Sequence, residues 1–241
     1  MKLLITAFAI LFCVYVIYEY LRIKPLIAHT QSLIVTAHPY ERSTGTRSLF
    51  VVGDSTGVGV GSLHSVESVA GRLSQLLDTS VENHAVSGAR VLEVPAQLQK
   101  ATQKKYDVVL IQIGANDVTH FTSLRDLQRN LNAILVSAKE KSDHVILMTS
   151  GKVGDAPFIP RSIAPLFNYR SRQVRDLFIR VSEAHAVAYV DLLAVSAVFD
   201  TDHDKYYAAD YFHPSSDGYA LWYGVLKDTI TKSWPELVHE S

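Results

Sequence analysis

The chain has a single cysteine, Cys13, so no disulfide can form within it and the redox compartment is left open. It has no cluster of lysine or arginine beyond short pairs such as Lys104 and Lys105, and its formal net charge is -1. Such a surface would release few counterions from a polyanion, which argues against nucleic acid as a partner. Internal repeats and low-complexity segments are missing as well, which sets aside solenoids and compositionally biased tracts. What remains is 48% hydrophobic and 20% charged, a balance that suits a globular chain and argues against disorder. At 241 residues there is length for one sizeable core, and the chain is short for two.

The N-terminus differs in kind from the rest. Residues 3–21, LLITAFAILFCVYVIYEYL, carry one charge, Glu19, and are flanked by Lys2, Arg22 and Lys24. That is about the length of a minimal membrane span, and Tyr15, Tyr18 and Tyr20 suit the aromatic belt at its end. A cleaved signal peptide has the same general form, but its small-residue site is lacking: Ala7-Phe8-Ala9 falls too early to leave a working apolar region. Phe12 before Cys13 likewise argues against a lipoprotein site. Residues 1–24 are therefore expected to be an uncleaved membrane anchor. Residues 25–46 lack a sustained period and carry turn formers, so they are expected to be a linker, with one globular domain over 47–241.

Beyond the linker, apolar runs of strand type recur at 48–52, 80–86, 107–113, 144–149 and 187–192. Between them lie segments with apolar residues at helical spacing, including 66–77, 124–138 and 166–184. Alternation of this kind predicts an α/β fold with parallel strands and helices on both faces, and near-continuous runs such as VVLIQI suit strands buried on both sides. In such sheets chemistry belongs at the carboxyl ends of the strands. Three polar loops fall there: Gly53-Asp54-Ser55 after the first run, AVSGAR after the second and IGANDV after the third.

The stretch LFVVGDSTGVGVGS, residues 49–62, admits three chemistries. A phosphate cradle fails, because no lysine follows Gly61-Ser62, and His64 stands where a dinucleotide fingerprint would need its third glycine. Gly53-Asp54-Ser55-Thr56-Gly57 is a literal G-x-S-x-G, yet an α/β-hydrolase places that serine after several strands and not after the first. The third possibility is the Gly-Asp-Ser block of another hydrolase class. A serine that attacks an acyl carbon needs a base, an acid to orient the base, and donors for the developing oxyanion. Gly88 offers a backbone N–H with no side chain in the way, Asn116 a side-chain amide, and Asp210 and His213 an acid and a base. Asp54 and Asp117 fit loop bracing better than chemistry.

In order and approximate separation, Gly53-Asp54-Ser55, Gly88, Gly114-Ala115-Asn116-Asp117 and Asp210-x-x-His213 resemble the four blocks of the SGNH or GDSL hydrolase family. The resemblance runs from about 48 to about 237 and extends beyond the last block in HPSSDGYALWY; Thr56 departs from it, standing where the family's name puts leucine. It implies a flavodoxin-like three-layer α/β/α sandwich carrying a serine esterase, with Ser55 as nucleophile, His213 as base and Asp210 as its orienter. It also implies an oxyanion hole from Ser55, Gly88 and Asn116, no cofactor and no metal, and a small-molecule or lipid ester as substrate. An acyltransferase on the same site and a non-enzymatic binding domain are the alternatives.

Four further expectations are open to test. Asp200-x-x-His203 has the same spacing as Asp210-x-x-His213, but Pro214 and a following helical segment favour His213. The run DTDHDK lacks the glycine and the twelfth-position carboxylate of a calcium loop and is expected to be an acidic surface loop. The segment 152–161, KVGDAPFIPR, with its continuation, is placed to border an acyl pocket or to pack on itself as a surface excursion. Every candidate catalytic residue lies beyond Arg47, so a fragment starting there is expected to be soluble and active. The positive-inside rule gives no orientation here, and an exported domain follows from secreted members of the resembled family.

Overall fold

In the computed structural model, residues 2–239 are described. They form, in chain order, α1 (Lys2–Thr36), β1 (Arg47–Gly53), α2 (Ser55–Val58), α3 (Val69–Leu77), β2 (Thr79–Asn83), α4 (Val94–Leu98), β3 (Val108–Gln112) and α5 (Ala115–Thr119). There follow α6 (Leu124–Lys139), β4 (His144–Met148), α7 (Ala164–Ala184), β5 (Ala188–Val190), α8 (Ser196–Phe199), α9 (His203–Tyr206), α10 (Ser216–Ser233) and α11 (Pro235–His239).

The five strands pair in the order β2-β1-β3-β4-β5, and each pair is parallel. This is the flavodoxin-like order, in which β1 and β3 flank the point where the winding reverses. Successive side chains of a strand point to opposite faces. Phe50, Val52, Val109 and Ile111 accordingly join a core with α6 and α7, while Leu49, Val51 and Leu110 join a second core with α3 and α10. The result is a three-layer sandwich.

Local chemistry sets the ends of the elements. β2 stops at Asn83, where the side chain takes over from the ladder: its oxygen accepts from Ala85 N at 3.0 Å two residues on, and its amide donates to Gly57 O of α2 at 2.9 Å. α3 begins at Val69 and not at residue 66, since 65–67 form a single 3-10 turn and the Ser68 hydroxyl caps the helix by accepting from Gly71 N.

The expectation of a linker over 25–46 is overturned for residues 25–36. α1 continues through Pro25 to Thr36. An internal proline costs a helix about 3 kcal/mol, and here a docked face offsets it. Residues 22, 26, 30, 33 and 37 are half-buried, a helical spacing that turns one side of α1 toward the domain. Arg22 donates to the carbonyls of Pro157 and Phe158 at 2.6 and 3.3 Å, and Leu33 and Ala37 pack against Val58, Val60 and Ala85. Further on, Arg42 bridges Val81 of β2 in antiparallel fashion and pairs with Asp78 at 2.8 Å. The first half of α1 is different: Leu4, Phe8 and Leu21 are 76%, 73% and 63% exposed. The helix is long and apolar enough to cross a membrane.

Candidate active site

β1 ends at Gly53, whose backbone is gripped on both sides by one side chain: Gln97 accepts from Gly53 N at 2.6 Å and donates to Gly53 O at 2.9 Å. Asp54 then caps the short α2, its Oδ1 accepting from Thr56 N at 2.9 Å and from Thr56 Oγ1 at 2.8 Å. This puts Ser55 at the carboxyl end of β1, as the first residue of a helical turn. Its Oγ lies 2.9 Å from His213 Nε2, and His213 Nδ1 lies 2.7 Å from Asp210 Oδ2. A buried carboxylate can only accept, so Nδ1 carries the hydrogen and Nε2 is left free to take the serine proton.

The loop bearing His213 is held from several directions. Ala208 N donates to His213 O at 2.8 Å, the Phe212 ring meets the imidazole edge-on with centroids 5.3 Å apart, and Ser215 caps α10 immediately afterwards. Gly61 permits the close approach of the loop after α2. It has φ of 98°, and a Cβ there would sit 2.3 Å from Pro214 O. Tyr219 of α10 donates to Val60 O at 2.8 Å and joins the same two segments from below.

The other candidate donors border the same space. Ser55, Gly88, Asn116 and His213 all line one cavity of about 380 Å³. Gly88 has φ of 84°, and a Cβ there would meet nothing within 4 Å, so its position faces open space. The Asn116 side chain does not cap its own turn: Nδ2 donates to Ala89 O at 2.9 Å, which fixes the amide and leaves its second hydrogen unused by that bond. From the remaining lining, Val153, Ala156, Phe158, Ile159 and Phe167 come from the segment after β4 and the start of α7, and Phe199 and Trp222 add aromatic wall from α8 and α10. The excursion over 152–161 thus borders the cavity.

Three buried carboxylates sit near this centre under different balances. Burial pushes Asp54 up to about 6, against the two Thr56 bonds and the charge of His213. Burial also raises Asp117, whose Oδ2 accepts from Val91 N at 2.9 Å and braces the turn after the Gly88 loop. Burial acts on Asp210 too, but the bond and charge of His213 together with the backbone N–H groups of His213 and Phe212 outweigh it and hold Asp210 below the ordinary carboxylate range.

The rival pair is elsewhere. His203 Nε2 stands 3.7 Å from Asp200 Oδ1, with both side chains more than a third exposed. In the DTDHDK run, Asp202 caps α9 by accepting from Lys205 N, and Asp204 accepts from the Tyr211 hydroxyl. No group of three or more potential metal ligands occurs among the described residues.

Three contributing residues leave no mark in the motifs of the sequence. Gln97 lies in a short helix with no periodic signal. Thr30 and Ile34 come from α1, line the cavity, and bring the Thr30 hydroxyl to 3.0 Å from Asp210 Oδ2. The spacing of residues 22, 26, 30, 33 and 37 was the available signal for a docked face.

The profile of the GDSL-like lipase/acylhydrolase family matches residues 51–221. The chain belongs to that family. Its fold is shared with solved structures of GDSL and SGNH proteins. A lipolytic G-D-S-L family protein from Veillonella parvula DSM 2008 superposes with a TM-score of 0.63 at 15% identity, covering 77% of this chain and 98% of its own. A variant of an acetyl xylan esterase from Geobacillus stearothermophilus gives 0.60 at 21% identity, covering 78% and 94%. A putative SGNH hydrolase from Slackia heliotrinireducens gives 0.56 at 22% identity, covering 76% and 98%. No curated protein matches the sequence.

Proposed function

We propose that this GDSL-family hydrolase is a serine esterase that cleaves carboxylic esters through an acyl-enzyme on Ser55. The observation that carries this is the chain Ser55 Oγ, His213 Nε2, His213 Nδ1, Asp210 Oδ2, with links of 2.9 and 2.7 Å, at the wall of an apolar cavity. His213 removes the Ser55 proton as the hydroxyl attacks the acyl carbon. The oxyanion is received by the N–H groups of Ser55 and Gly88 and by the Asn116 amide. His213 then protonates the leaving alcohol, and water repeats the sequence on the acyl-enzyme. The cycle calls for no metal or organic cofactor.

The acyl portion of the substrate is an apolar chain, because the cavity beyond Ser55 is lined by Val153, Phe158, Ile159, Phe199 and Trp222. The site operates at a membrane surface. The exposed apolar half of α1 anchors the chain, and the adjoining domain surface continues it: Tyr15 Oη lies 2.6 Å from Ser162 Oγ, next to the exposed Ile163, Leu166 and Tyr169. The domain lies on the exported side of that membrane. A series of esters with increasing acyl length, hydrolysed by the full chain and by Ser55→Ala, tests this account. The wild-type rate should rise with chain length and vanish in the variant; a preference for acetyl esters would overturn the acyl-chain assignment, and an active variant would overturn the mechanism. Protease accessibility in intact and opened cells tests the orientation.

A further inference from the structure

The Asp210 carboxylate is fully enclosed, with none of its surface exposed. Its two oxygens offer about four acceptor directions. Oδ1 accepts from the backbone N–H groups of Phe212 and His213, each at 3.0 Å. Oδ2 accepts from His213 Nδ1 at 2.7 Å, and the fourth partner is the Thr30 hydroxyl at 3.0 Å. That hydroxyl also lies 3.0 Å from Leu26 O, one helical turn back. It has one hydrogen to give. Leu26 O sits where the helix already supplies the N–H of Thr30, whereas Asp210 is an ionised acceptor, held below its ordinary range and closed to solvent. Bonds to charged acceptors are the stronger ones, so the hydrogen goes to Asp210.

We propose that Thr30 is a positioning residue of the catalytic triad: the anchor helix itself supplies the donor that fixes Asp210 Oδ2 against His213. This rests on the assignment of Ser55, His213 and Asp210 made above. Thr30 lies outside the span 51–221 that matches the family, so the family pattern does not provide it. Its delivery is rigid. Arg22 is clamped to two carbonyls eight residues earlier, about 12 Å along the helix, and Leu33 and Ala37 are packed against the domain just after it. Between them Thr30 has little freedom to move, and Ile34, one turn on, walls the cavity beside it. Losing α1 therefore removes a hydrogen bond from an enclosed charge and opens the cavity wall at once. A domain released at residue 47 keeps Ser55, His213 and Asp210 but works poorly, contrary to the expectation from the sequence.

The test uses the full chain in detergent micelles. Thr30→Val keeps the shape and removes the hydroxyl, Thr30→Ala removes the hydroxyl and the methyl group but leaves the residue that helices tolerate best, and Thr30→Ser restores the donor. Thr30→Val and Thr30→Ala should each lower kcat about tenfold with KM unchanged, and Thr30→Ser should recover most of it. In an Asp210→Asn background, with the rate of fluorophosphonate labelling as readout, Thr30→Val should cost nothing further, because its partner charge is gone. Full kcat in both Thr30→Val and Thr30→Ala, or an undiminished effect in the Asp210→Asn background, overturns the proposal. Wild-type labelling at Ser55 keeps the two questions apart. If the wild type labels and turns over while Thr30 variants match it, only the role of Thr30 fails; if the wild type does neither, the triad itself fails.

Discussion

Asp200 with His203 and Asp210 with His213 are the same four-residue pattern ten positions apart, and the fold treats them in opposite ways. The first pair spans the turn between two one-turn helices, α8 and α9, with both side chains more than a third exposed and a closest approach of 3.7 Å. The second is enclosed between the loop after α2, α1 and the start of α10, its closest approach 2.7 Å, with Ser55 on its far side at 2.9 Å. Spacing within the chain puts an acid near a histidine in both places. What separates them is everything the rest of the chain brings: donors for the carboxylate, exclusion of water, and a hydroxyl within reach of the ring.

The largest effect expected from this comparison is at the base. On the proposed mechanism, His213→Ala should lower kcat by about 10⁴-fold or more, the loss that removing the base brings in serine hydrolases, while His203→Ala should leave turnover unchanged in the same ester assay. The opposite ranking breaks the comparison outright. The acids should follow: Asp210→Asn is expected to lower kcat by about 10⁴-fold through the wrong imidazole tautomer, and Asp200→Asn should be silent. Equal losses at both positions would mean that a general electrostatic term, and not the enclosed geometry, sets the rate.

A smaller effect is expected one loop away. Asn116 makes one bond to Ala89 O and borders the cavity, so Asn116→Ala should cost about 10²–10³ in kcat if its amide meets the oxyanion, with KM little altered. A variant with full kcat and a lowered melting temperature would assign the residue to bracing alone.

The smallest effect sharpens the contrast between two buried carboxylates. Asp54 has a folded value raised to about 6 from 3.8, so its contribution to stability is fully present below about 3.8 and is lost as pH rises through about 6. Asp210 is lowered, so its contribution is present above the ordinary value and is lost as pH falls. Between pH 4 and 7, Asp54→Asn should therefore gain stability relative to the wild type, by about 3 kcal/mol at the upper end. Denaturant titrations across that range check the sign, and parallel curves for the two proteins would remove Asp54 from the account.

How much of this was legible in the sequence follows from how local each signal is. Strands buried on both faces announce themselves as unbroken apolar runs, so β1, β3 and β4 fall within a residue or two of their expected places. His213 stands out from His203 in the sequence because Pro214 and the helical segment after it are its immediate neighbours, whereas for the segment over 152–161 the position after the fourth strand leaves a cavity wall and a self-packed excursion both open, and the structure decides for the wall. The grip of Gln97 on Gly53 joins residues 44 apart, and the bond from Thr30 to Asp210 joins residues 180 apart. Neither leaves a local mark. The helix through Pro25 was missed for a related reason: a face docked on the domain, and not intrinsic propensity, holds α1 together beyond that point.

The central claim, that enclosure and not spacing makes Ser55 a nucleophile, is tested most directly by reacting the full chain with a fluorophosphonate and locating the adduct by peptide mass spectrometry. The account predicts one label, on Ser55, formed at the wild-type rate in His203→Ala and nearly abolished in His213→Ala. A label on another serine, or labelling of Ser55 at an undiminished rate in His213→Ala, would contradict it.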